Sequence, residues 1–297
     1  MSTSPTSTLA SITLVKAWTA ARDRLREAQV DSPVIDARLL VEAAVGVTRT
    51  ELITDPYRPL SEGEAATLDA YVERRSRREP VSHILGRKGF WKIMVQVDAR
   101  VLTPRPETEV IVDHALRAFT EGEQFSVLDL GVGSGALLLA ILAERPAARG
   151  LGVDLSEDAL AVARENAANL GLAGRMALLR GDWTAGLADA GFELVVANPP
   201  YIRTEELATL DPEVRDHEPH LALDGGEDGL RDYRVLAPEI LRVLRPGGLF
   251  LVEVGADQAA EVSRLFHGAG AQAVGVLKDL CDKERVVTGR KKALGNL

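Results

Sequence analysis

Four consecutive residues carry the groups that can hold a flat nitrogen for reaction: Asn198, Pro199, Pro200 and Tyr201. The side-chain oxygen of Asn198 and the backbone carbonyl of Pro199 can each accept one hydrogen of a planar NH2 group. The two prolines restrict the turn, and the Tyr201 ring can stack on the flat group. Because an amide nitrogen delocalises its lone pair and is a poor nucleophile, such orientation favours its attack on an electrophile.

A glycine-rich turn is predicted between a strand and a helix, formed by Gly131, Val132, Gly133, Ser134 and Gly135. Glycines let the backbone approach a ligand closely and take dihedral angles that other residues resist. Asp154 follows at the end of the next predicted strand, where a carboxylate can accept both hydroxyl groups of a ribose. The same pattern fits the dinucleotide fingerprint of nicotinamide oxidoreductases, so both interpretations stay open on these residues alone.

Asp182 and Trp183 follow the third predicted strand and extend the predicted ligand site. The Asp182 carboxylate can accept a hydrogen bond from an adenine amino group while the indole packs on the ring. Taken by itself, Trp183 is also typical of ordinary core packing. We therefore interpret Asp182 and Trp183 as supporting a ligand site at the glycine turn, and not as independent evidence for such a site.

These residues are positioned by a region in which apolar strands alternate with helices from residue 124 onwards. This alternation is typical of an α/β fold with a mostly parallel sheet covered on both faces, which binds a nucleotide-like ligand at its switch point. The predicted strands are 126–130, 150–154, 176–179, 194–197, 249–254, 273–277 and 285–288. The predicted helices are 136–144, 157–170, 231–244 and 258–269, and residues 245–248 (Arg-Pro-Gly-Gly) predict a stop and a turn.

The first 84 residues are predicted to form a small all-α domain, because apolar residues recur there at helical spacing. Two capping boxes, in which a hydroxyl residue precedes a carboxylate by three positions, mark helix starts at Thr48 with Glu51 and at Ser61 with Glu64. Residues 85–105 are predicted to be a β-hairpin connector, with a strand at 90–97, a turn at 98–100 and a short strand at 101–102.

Composition and charge restrict the class of protein. A length of 297 residues with 46% apolar residues suggests about two domains with buried cores. The single cysteine, Cys281, excludes an internal disulfide. With no signal-peptide pattern and no run of about 18 apolar residues, we expect a cytoplasmic protein that does not enter a membrane.

The acidic charge is concentrated in the second part of the chain. Residues 89–297 carry 22 Lys and Arg against 32 Asp and Glu, a balance of −10, which argues against a broad surface for nucleic-acid phosphates. The local exception is a basic cluster of Arg74, Arg75, Arg77, Arg78, Arg87 and Lys88. A solvated helix end and a contact with an RNA-rich assembly are both compatible with this cluster.

Taken together, these residues resemble the HemK/PrmC family, the peptide chain release factor N5-glutamine methyltransferases. The resemblance spans nearly the whole chain and includes residues 80–86 (Pro-Val-Ser-His-Ile-Leu-Gly), Phe90 with Trp91, and residues 103–109 (Thr-Pro-Arg-Pro-Glu-Thr-Glu). Adenine methyltransferases share the Asn-Pro-Pro-Tyr motif but, as a rule, lack the 103–109 segment. Lys92 departs from the family, which commonly has glycine there.

The resemblance implies methylation at N5 of the glutamine in the Gly-Gly-Gln loop of bacterial release factors. S-adenosyl-L-methionine would be the donor, S-adenosyl-L-homocysteine the product, and no metal would take part, although His217 and His220 lie close in sequence. It also implies a class I, Rossmann-like sheet of seven strands with the last strand antiparallel. The implied domains are a helical substrate-recognition domain at 1–84, the connector at 85–105 and the methyltransferase domain at 106–297.

Carried over by position, residues 131–135 would line the methionine part of the cofactor, Asp154 the ribose, and Asp182 with Trp183 the adenine. Residues 198–201 would hold the glutamine amide, with Asn198 also beside the cofactor. Arg105 and Glu107 would lie near the mouth of the site, and residues 218–229 would form a lid-like loop. We expect a monomer that binds release factors and neither DNA nor membrane.

Several alternatives remain at this point. A glutamine of a ribosomal protein would use the same residues, and the exocyclic amino group of adenine in a nucleic acid has the same planar geometry. Hydride transfer by a nicotinamide oxidoreductase gives no reason for the Asn198 motif. A non-catalytic cofactor sensor or release-factor-binding module gives no reason for an intact chemical motif either.

Overall fold

The computed structural model describes residues 12–293 of the chain. The chain forms two compact units, with the boundary between Leu85 and Gly86. The hairpin that we predicted as a separate connector at 85–105 therefore lies in the larger unit. None of the helices within residues 12–293 combines the length and apolar character that a membrane crossing requires.

The smaller unit is a group of helices around one apolar core. Its helices are α1 (Leu14–Glu27), α2 (Pro33–Val45), α3 (Arg49–Thr54), α4 (Glu62–Ser76) and α5 (Val81–Leu85). Both predicted capping boxes are present, because the side chains of Thr48 and Ser61 accept from the backbone N–H groups of Glu51 and Glu64 at 3.2 Å. Both helix starts therefore satisfy backbone donors that would otherwise lack partners.

The arginines of the basic cluster at residues 74–78 contact partners within the smaller unit. These contacts join Arg74 to Glu79, Arg75 to Asp36, Arg77 to Glu73, and Arg78 to the Gln29 carbonyl. The Arg75–Asp36 pair is buried, with 2.8 Å between Nε and Oδ2. This part of the cluster therefore serves the packing of the helices, which favours a structural role over a surface for RNA.

A β-hairpin begins the larger unit, but its turn is not where we predicted it. Strands β1 (Arg87–Phe90) and β2 (Ile93–Gln96) pair antiparallel around a turn at Trp91 and Lys92, so the single strand predicted at 90–97 was wrong. The predicted turn at 98–100 is present, with the Val101 N–H donating to the Asp98 carbonyl at 3.2 Å, but it follows the hairpin. Trp91 has φ +52°, which is costly for a bulky residue. Its N–H donates to Glu109, and Lys92 forms an ion pair with Glu144 at 2.8 Å, which stabilises the turn.

The main sheet of the larger unit has the seven strands that the family resemblance implies. They are β3 (Ser126–Leu130), β4 (Arg149–Asp154), β5 (Met176–Arg180), β6 (Phe192–Ala197), β7 (Leu244–Glu253), β8 (Gln272–Lys278) and β9 (Glu284–Arg290). Their order within residues 86–293 is β5-β4-β3-β6-β7-β9-β8. The first five in this order are parallel, whereas β9 is antiparallel to both neighbours, which confirms the predicted fold class.

Helices cover both faces of this sheet. They are α6 (Glu109–Ala118), α7 (Ala136–Glu144), α8 (Glu157–Asn169), α10 (Arg231–Val243) and α11 (Ala259–Gly268), whereas the short helix α9 (Pro212–Arg215) has no buried residues. One core packs α6, α7 and α8 on the sheet, and a second core packs α10 and α11 on the opposite face. Because β3 and β6 are buried on both faces, they read as continuous apolar runs in the sequence.

The segment 245–248 (Arg-Pro-Gly-Gly) is a bulge within β7 rather than the predicted turn before a strand. Pairing with β6 passes from Phe192 opposite Leu244 to Leu194 opposite Leu249, so the extra residues of β7 loop out of register. Gly247 takes φ +80° there, which glycine permits at low cost.

Candidate active site

The carboxyl ends of β3, β4, β5 and β6 open onto a cavity of about 320 Å³. Most of the predicted site residues line it: Gly131, Val132, Gly133, Ser134, Asp154, Asp182, Trp183, Asn198 and Pro200. Gly135, Pro199 and Tyr201 do not contribute to its surface. The cavity therefore lies where parallel α/β sheets bind nucleotide-like ligands.

The glycine turn and Asp154 are joined by backbone hydrogen bonds. Gly131 and Gly133 have φ of +75° and +52°, and the Gly133 N–H donates to Asp154 Oδ2 at 2.9 Å. The other carboxylate oxygen, Oδ1, accepts from the Ser156 N–H at 2.9 Å. Burial raises the pKa of Asp154, and these backbone donors offset part of that effect. The carboxylate is thus fixed at the cavity with acceptor capacity remaining on both oxygens.

Gly135 has a different role from the other glycines of the turn. It takes φ +81° at the start of α7, and a Cβ atom there would lie 3.0 Å from Leu139 and 3.4 Å from both Ala163 and Met176. Its lack of a side chain therefore allows α7 to pack against the interior. The structure gives Gly135 no place on the cavity wall.

Trp183 forms one wall beside the glycine turn. Its backbone takes φ +48°, an unusual value for a large residue, and a Cβ added at Gly131 would lie 3.6 Å from its ring. Strained backbone of this kind persists where the surrounding structure holds it, which is common at binding sites. Asp182 lies next to it on the same cavity.

Asp129 is a cavity residue that our sequence reasoning missed. It lies in β3 between two buried leucines and is 1% exposed, with neither carboxylate oxygen hydrogen-bonded to the described residues in ordinary geometry. Burial raises its pKa to about 7; the Leu138 N–H opposes this effect, and the charge of Asp154 adds a smaller increase. A carboxylate within an apolar strand was the signal that could have identified it.

The side chain of Asn198 is oriented by a contact with another part of the chain. Its Nδ2 donates to Thr108 Oγ1 over 3.5 Å, and its Oδ1 accepts no hydrogen bond from the described residues. Asn198 also lines the cavity. It therefore presents a free acceptor where a planar NH2 group could be held.

Tyr201 is held from two sides behind the cavity. Its hydroxyl donates to Glu253 Oε1 at 3.5 Å, and its backbone carbonyl accepts from Gln258 Nε2 at 2.9 Å. Burial, and then the nearby Glu253, raises the pKa of Tyr201, so the phenol stays neutral. Gly225 allows the following loop to approach, since a Cβ there would lie 2.8 Å from the Pro200 carbonyl oxygen and from Tyr201 Cα.

The residues expected to form a lid-like loop are tied to other segments of the larger unit. Glu218 forms an ion pair with Arg105, and three residues that follow it, Pro219, Leu221 and Ala222, line the cavity. Further along, the Gly225 N–H donates to the Ile202 carbonyl at 2.8 Å. The described residues include no group of three or more His, Cys, Asp or Glu side chains that could hold a metal ion.

Asn166 of α8 joins the hairpin to the glycine turn. Its Oδ1 accepts from the Gln96 N–H at 2.7 Å, and its Nδ2 donates to the carbonyls of Gln96 and Ser134 at 3.0 and 2.9 Å. The side chain is 1% exposed, so three backbone groups depend on this one amide. Sequence reasoning missed it, because its partners lie 70 and 32 residues away.

Comparison with known proteins places these features in a family. Residues 16–86 match the model of the PrmC N-terminal domain, and residues 121–289 match a methyltransferase domain. The release factor glutamine methyltransferase of Caulobacter vibrioides is 68% identical over 283 residues, covering 95% of this chain and 98% of the relative. That of Agrobacterium fabrum is 43% identical, covering 92% and 95%.

A likeness to a solved structure supports the fold. The crystal structure of a methyltransferase from Pyrococcus furiosus superposes with a TM-score of 0.53 at 16% identity, covering 74% of this chain and 98% of that one. At this identity the likeness concerns the fold alone. The identity to the curated relatives, over nearly their whole length, shows that the chain belongs to the release factor glutamine methyltransferase family.

Proposed function

We propose that the chain transfers a methyl group from S-adenosyl-L-methionine to N5 of the glutamine in the Gly-Gly-Gln motif of a peptide chain release factor. The observation that supports this most directly is that Asn198 lines the cavity and its Oδ1 accepts no hydrogen bond from the described residues, within a motif suited to a planar nitrogen. Membership of the family supports the choice of a glutamine over other planar nitrogens.

The cavity residues fit the donor by charge and shape. The Asp129 carboxylate is buried and forms no hydrogen bond of ordinary geometry with the described residues, which suits the ammonium of the methionine end. Asp154 would accept the ribose hydroxyls, and Asp182 with Trp183 would hold the adenine. When bound, the donor supplies a methyl group already activated by the positive charge on its sulfur.

The substrate amide would be held by the Asn-Pro-Pro-Tyr motif. Asn198 Oδ1 and the Pro199 carbonyl would each accept one N–H hydrogen, which fixes the nitrogen plane toward the methyl group. Tyr201, which does not line the cavity, would support the Asn198 motif from behind as a neutral phenol. The amide nitrogen would gain the methyl group and release one proton to solvent, and S-adenosyl-L-homocysteine would be the second product.

We propose that the helical unit ahead of Gly86 holds the body of the release factor while the Gly-Gly-Gln loop enters the cavity. The match of residues 16–86 to the PrmC N-terminal domain supports this division of roles. Deleting residues 1–80 should leave cofactor binding intact and remove most activity on intact release factor. Full activity of the truncated chain would refute this role.

Two other acceptors use the same geometry. A glutamine of a ribosomal protein would fit Asn198 equally well, whereas an adenine in DNA requires cationic phosphate contacts that the balance of −10 over residues 89–297 disfavours. An experiment can separate all three. A release factor, a ribosomal protein mixture and an adenine-containing duplex are each incubated with the enzyme and donor, then analysed by mass spectrometry.

We expect a gain of about 14 Da, one CH2 group, on the Gly-Gly-Gln glutamine alone. A release factor with that glutamine replaced by alanine is the matched control and should gain nothing. Methylated DNA with an unmodified release factor would overturn the proposal in favour of an adenine methyltransferase. Modification of a ribosomal protein alone would show that the proposed substrate is wrong and that the proposed reaction is right.

A further inference from the structure

Three residues from separate parts of the larger unit connect the catalytic motif to a buried carboxyl group. Thr108 ends a 3-10 helix at Pro106–Thr108, Asn198 follows β6, and Glu253 ends β7. Asn198 Nδ2 lies 3.5 Å from Thr108 Oγ1, and the Thr108 hydroxyl lies close enough to the Glu253 carboxyl group to lower its pKa. Thr108 and Glu253 are 4% and 2% exposed, so water does not compete for these contacts.

The hydrogen-bonding chemistry of these groups determines which of them donates and which accepts. An ionised carboxylate can only accept, so any hydrogen bond between Thr108 and the ionised Glu253 has the Thr108 hydroxyl as its donor. The lone pairs of that hydroxyl are then left to accept, which selects the Nδ2 side of the Asn198 amide. Oδ1 consequently faces away from Thr108 and remains available on the cavity. A protonated Glu253 permits the reverse order, in which Thr108 donates to Oδ1 and Nδ2 faces the substrate.

We propose that Thr108 and Glu253 are positioning residues that hold Asn198 with its Oδ1 toward the substrate nitrogen. This inference rests on the proposed function and assigns a role to the Thr-Pro-Arg-Pro-Glu-Thr-Glu segment. With the amide reversed, an N–H donor would meet the N–H hydrogens of the substrate. Because a buried polar group facing the wrong partner is costly, reversal removes the binding mode on which methyl transfer depends.

The groups around Glu253 determine its pKa, and therefore the pH range in which its ionised form orients the Asn198 amide through Thr108. Burial raises its pKa to about 7, while Thr108, the cation of Arg285 and the Tyr201 hydroxyl lower it and the Glu107 charge raises it. Tyr233, packed from α10, donates to the backbone carbonyl of Glu253 at 2.9 Å and stays neutral, since burial raises its pKa. Oε2 of the carboxyl group has no partner of ordinary geometry among the described residues.

The first test removes only the Thr108 hydroxyl from the full chain. Thr108→Val should lower kcat for release factor about 10- to 100-fold, in the range of a lost oriented hydrogen bond, with nearly unchanged cofactor affinity. Thr108→Ser keeps the hydroxyl and should stay within about threefold of wild type. In an Asn198→Asp background the carboxylate presents an oxygen on both sides, so Thr108→Val should have little further effect. An equal loss in both backgrounds, or unchanged kcat, would overturn the proposal.

The second test needs no turnover. The chain has four asparagines, so selective 15N-asparagine labelling gives few side-chain NH2 signals, and the Asn198 signal is identified as the one lost in Asn198→Asp. It should shift with pH, with a midpoint near 7 that Glu253→Gln abolishes. A pH-independent Asn198 signal in the wild type would refute the orienting role. If the release factor stays unmodified while this titration is present, the proposed function fails and the positioning network stands.

Discussion

Arg105 and Glu218 form an ion pair across 113 residues of sequence, with 2.7 Å between Nη2 and Oε2. The Glu218 side chain is 1% exposed, whereas the guanidinium is 35% exposed. The Thr103 N–H also donates to the carboxylate, at 3.3 Å. The pair therefore fixes the segment before α6 to the segment that supplies Pro219, Leu221 and Ala222 to the cavity wall.

Replacing Arg105 by methionine should weaken both the fold and cofactor binding. The Glu218 carboxylate would stay buried without its cation, and we expect a loss of about 1–3 kcal/mol in the free energy of unfolding, less than for a fully buried pair because Arg105 is partly solvated. Loosening the wall should raise the Kd for S-adenosyl-L-methionine about tenfold. Urea unfolding and calorimetric titration measure these effects.

The matched control is Arg117→Met, which breaks an exposed pair with Asp113 on α6. Exposed pairs contribute about 0–1 kcal/mol, so both measurements should stay near wild type. Equal effects of the two substitutions would show that the Arg105–Glu218 pair has no special role.

Replacing Asn198 by alanine should separate binding from chemistry. Loss of the Oδ1 acceptor should lower kcat at least about 100-fold, since the substrate nitrogen is no longer oriented. The Kd for S-adenosyl-L-methionine should change less than about threefold, because Asp129, Asp154 and Trp183 remain. Single-turnover methyl transfer and equilibrium binding are the measurements, and unchanged turnover would contradict the assigned role.

Cofactor binding should depend on pH through Asp129. Its pKa of about 7 means that the empty site holds a proton below pH 7, and the cationic donor must displace it. The Kd should therefore rise up to about tenfold per pH unit below 7 and level off above it. Asp129→Asn should bind more weakly at pH 8 and lose most of this dependence. A wild-type Kd that is constant from pH 5.5 to 8 would contradict the prediction.

Asp129 should also make the stability of the fold depend on pH: rising pH favours cofactor binding but lowers the free energy of unfolding. Burial raises the folded-state pKa of Asp129 above its unfolded value, so the folded state binds the proton more tightly. The contribution of this proton to the free energy of unfolding is complete below about pH 4 and is lost as pH rises through 7. Asp129→Asn, which cannot ionise, should therefore gain about 2–4 kcal/mol relative to wild type between pH 5 and pH 8. A pH-independent difference in unfolding free energy would exclude this effect.

Gly225→Ala should impair turnover through contact with the motif. A Cβ there would lie 2.8 Å from the Pro200 carbonyl oxygen and Tyr201 Cα, so the motif or the loop must shift. We expect kcat to fall about tenfold or more, since small misplacements at a reacting centre are costly. Gly63→Ala in α4 is the control, because open space surrounds it and alanine favours helix by about 0.5–1 kcal/mol. Equal activity of both variants would exclude a positioning role for the close approach.

The elements of the sheet could be predicted because their residues obey simple local rules. The strand at 126–130 and the helix at 136–144 have the predicted bounds, since one is a buried apolar run and the other follows a glycine turn. The hairpin turn was misplaced because Asp98-Ala99-Arg100 has better turn chemistry than Trp91-Lys92. The actual turn depends on Glu109 and Glu144, whose positions no local pattern contains.

The residues of the candidate site also divide into those that a local sequence pattern predicts and those that depend on distant parts of the chain. Motif residues that line the cavity were predicted from their neighbours in sequence, whereas Asp129, Thr108 and Glu253 were missed. These residues are buried, and their partners lie far away in the sequence; Asn198, for example, is 90 residues from Thr108. A carboxylate that reads as a solvated charge in sequence becomes a group with a pKa near 7 only when a folded core surrounds it.

The Asn166 amide determines where the catalytic unit could be cut into an independent fragment. A fragment starting at residue 106 would keep the whole seven-stranded sheet but remove Gln96, which provides two of the three backbone groups that Asn166 satisfies. The remaining amide would be buried beside the glycine turn with unmet hydrogen-bonding capacity. The smallest fragment that binds the cofactor should therefore keep the whole hairpin and begin at Gly86, the first residue of the larger unit, so the hairpin is part of the cofactor-binding body rather than a dispensable linker.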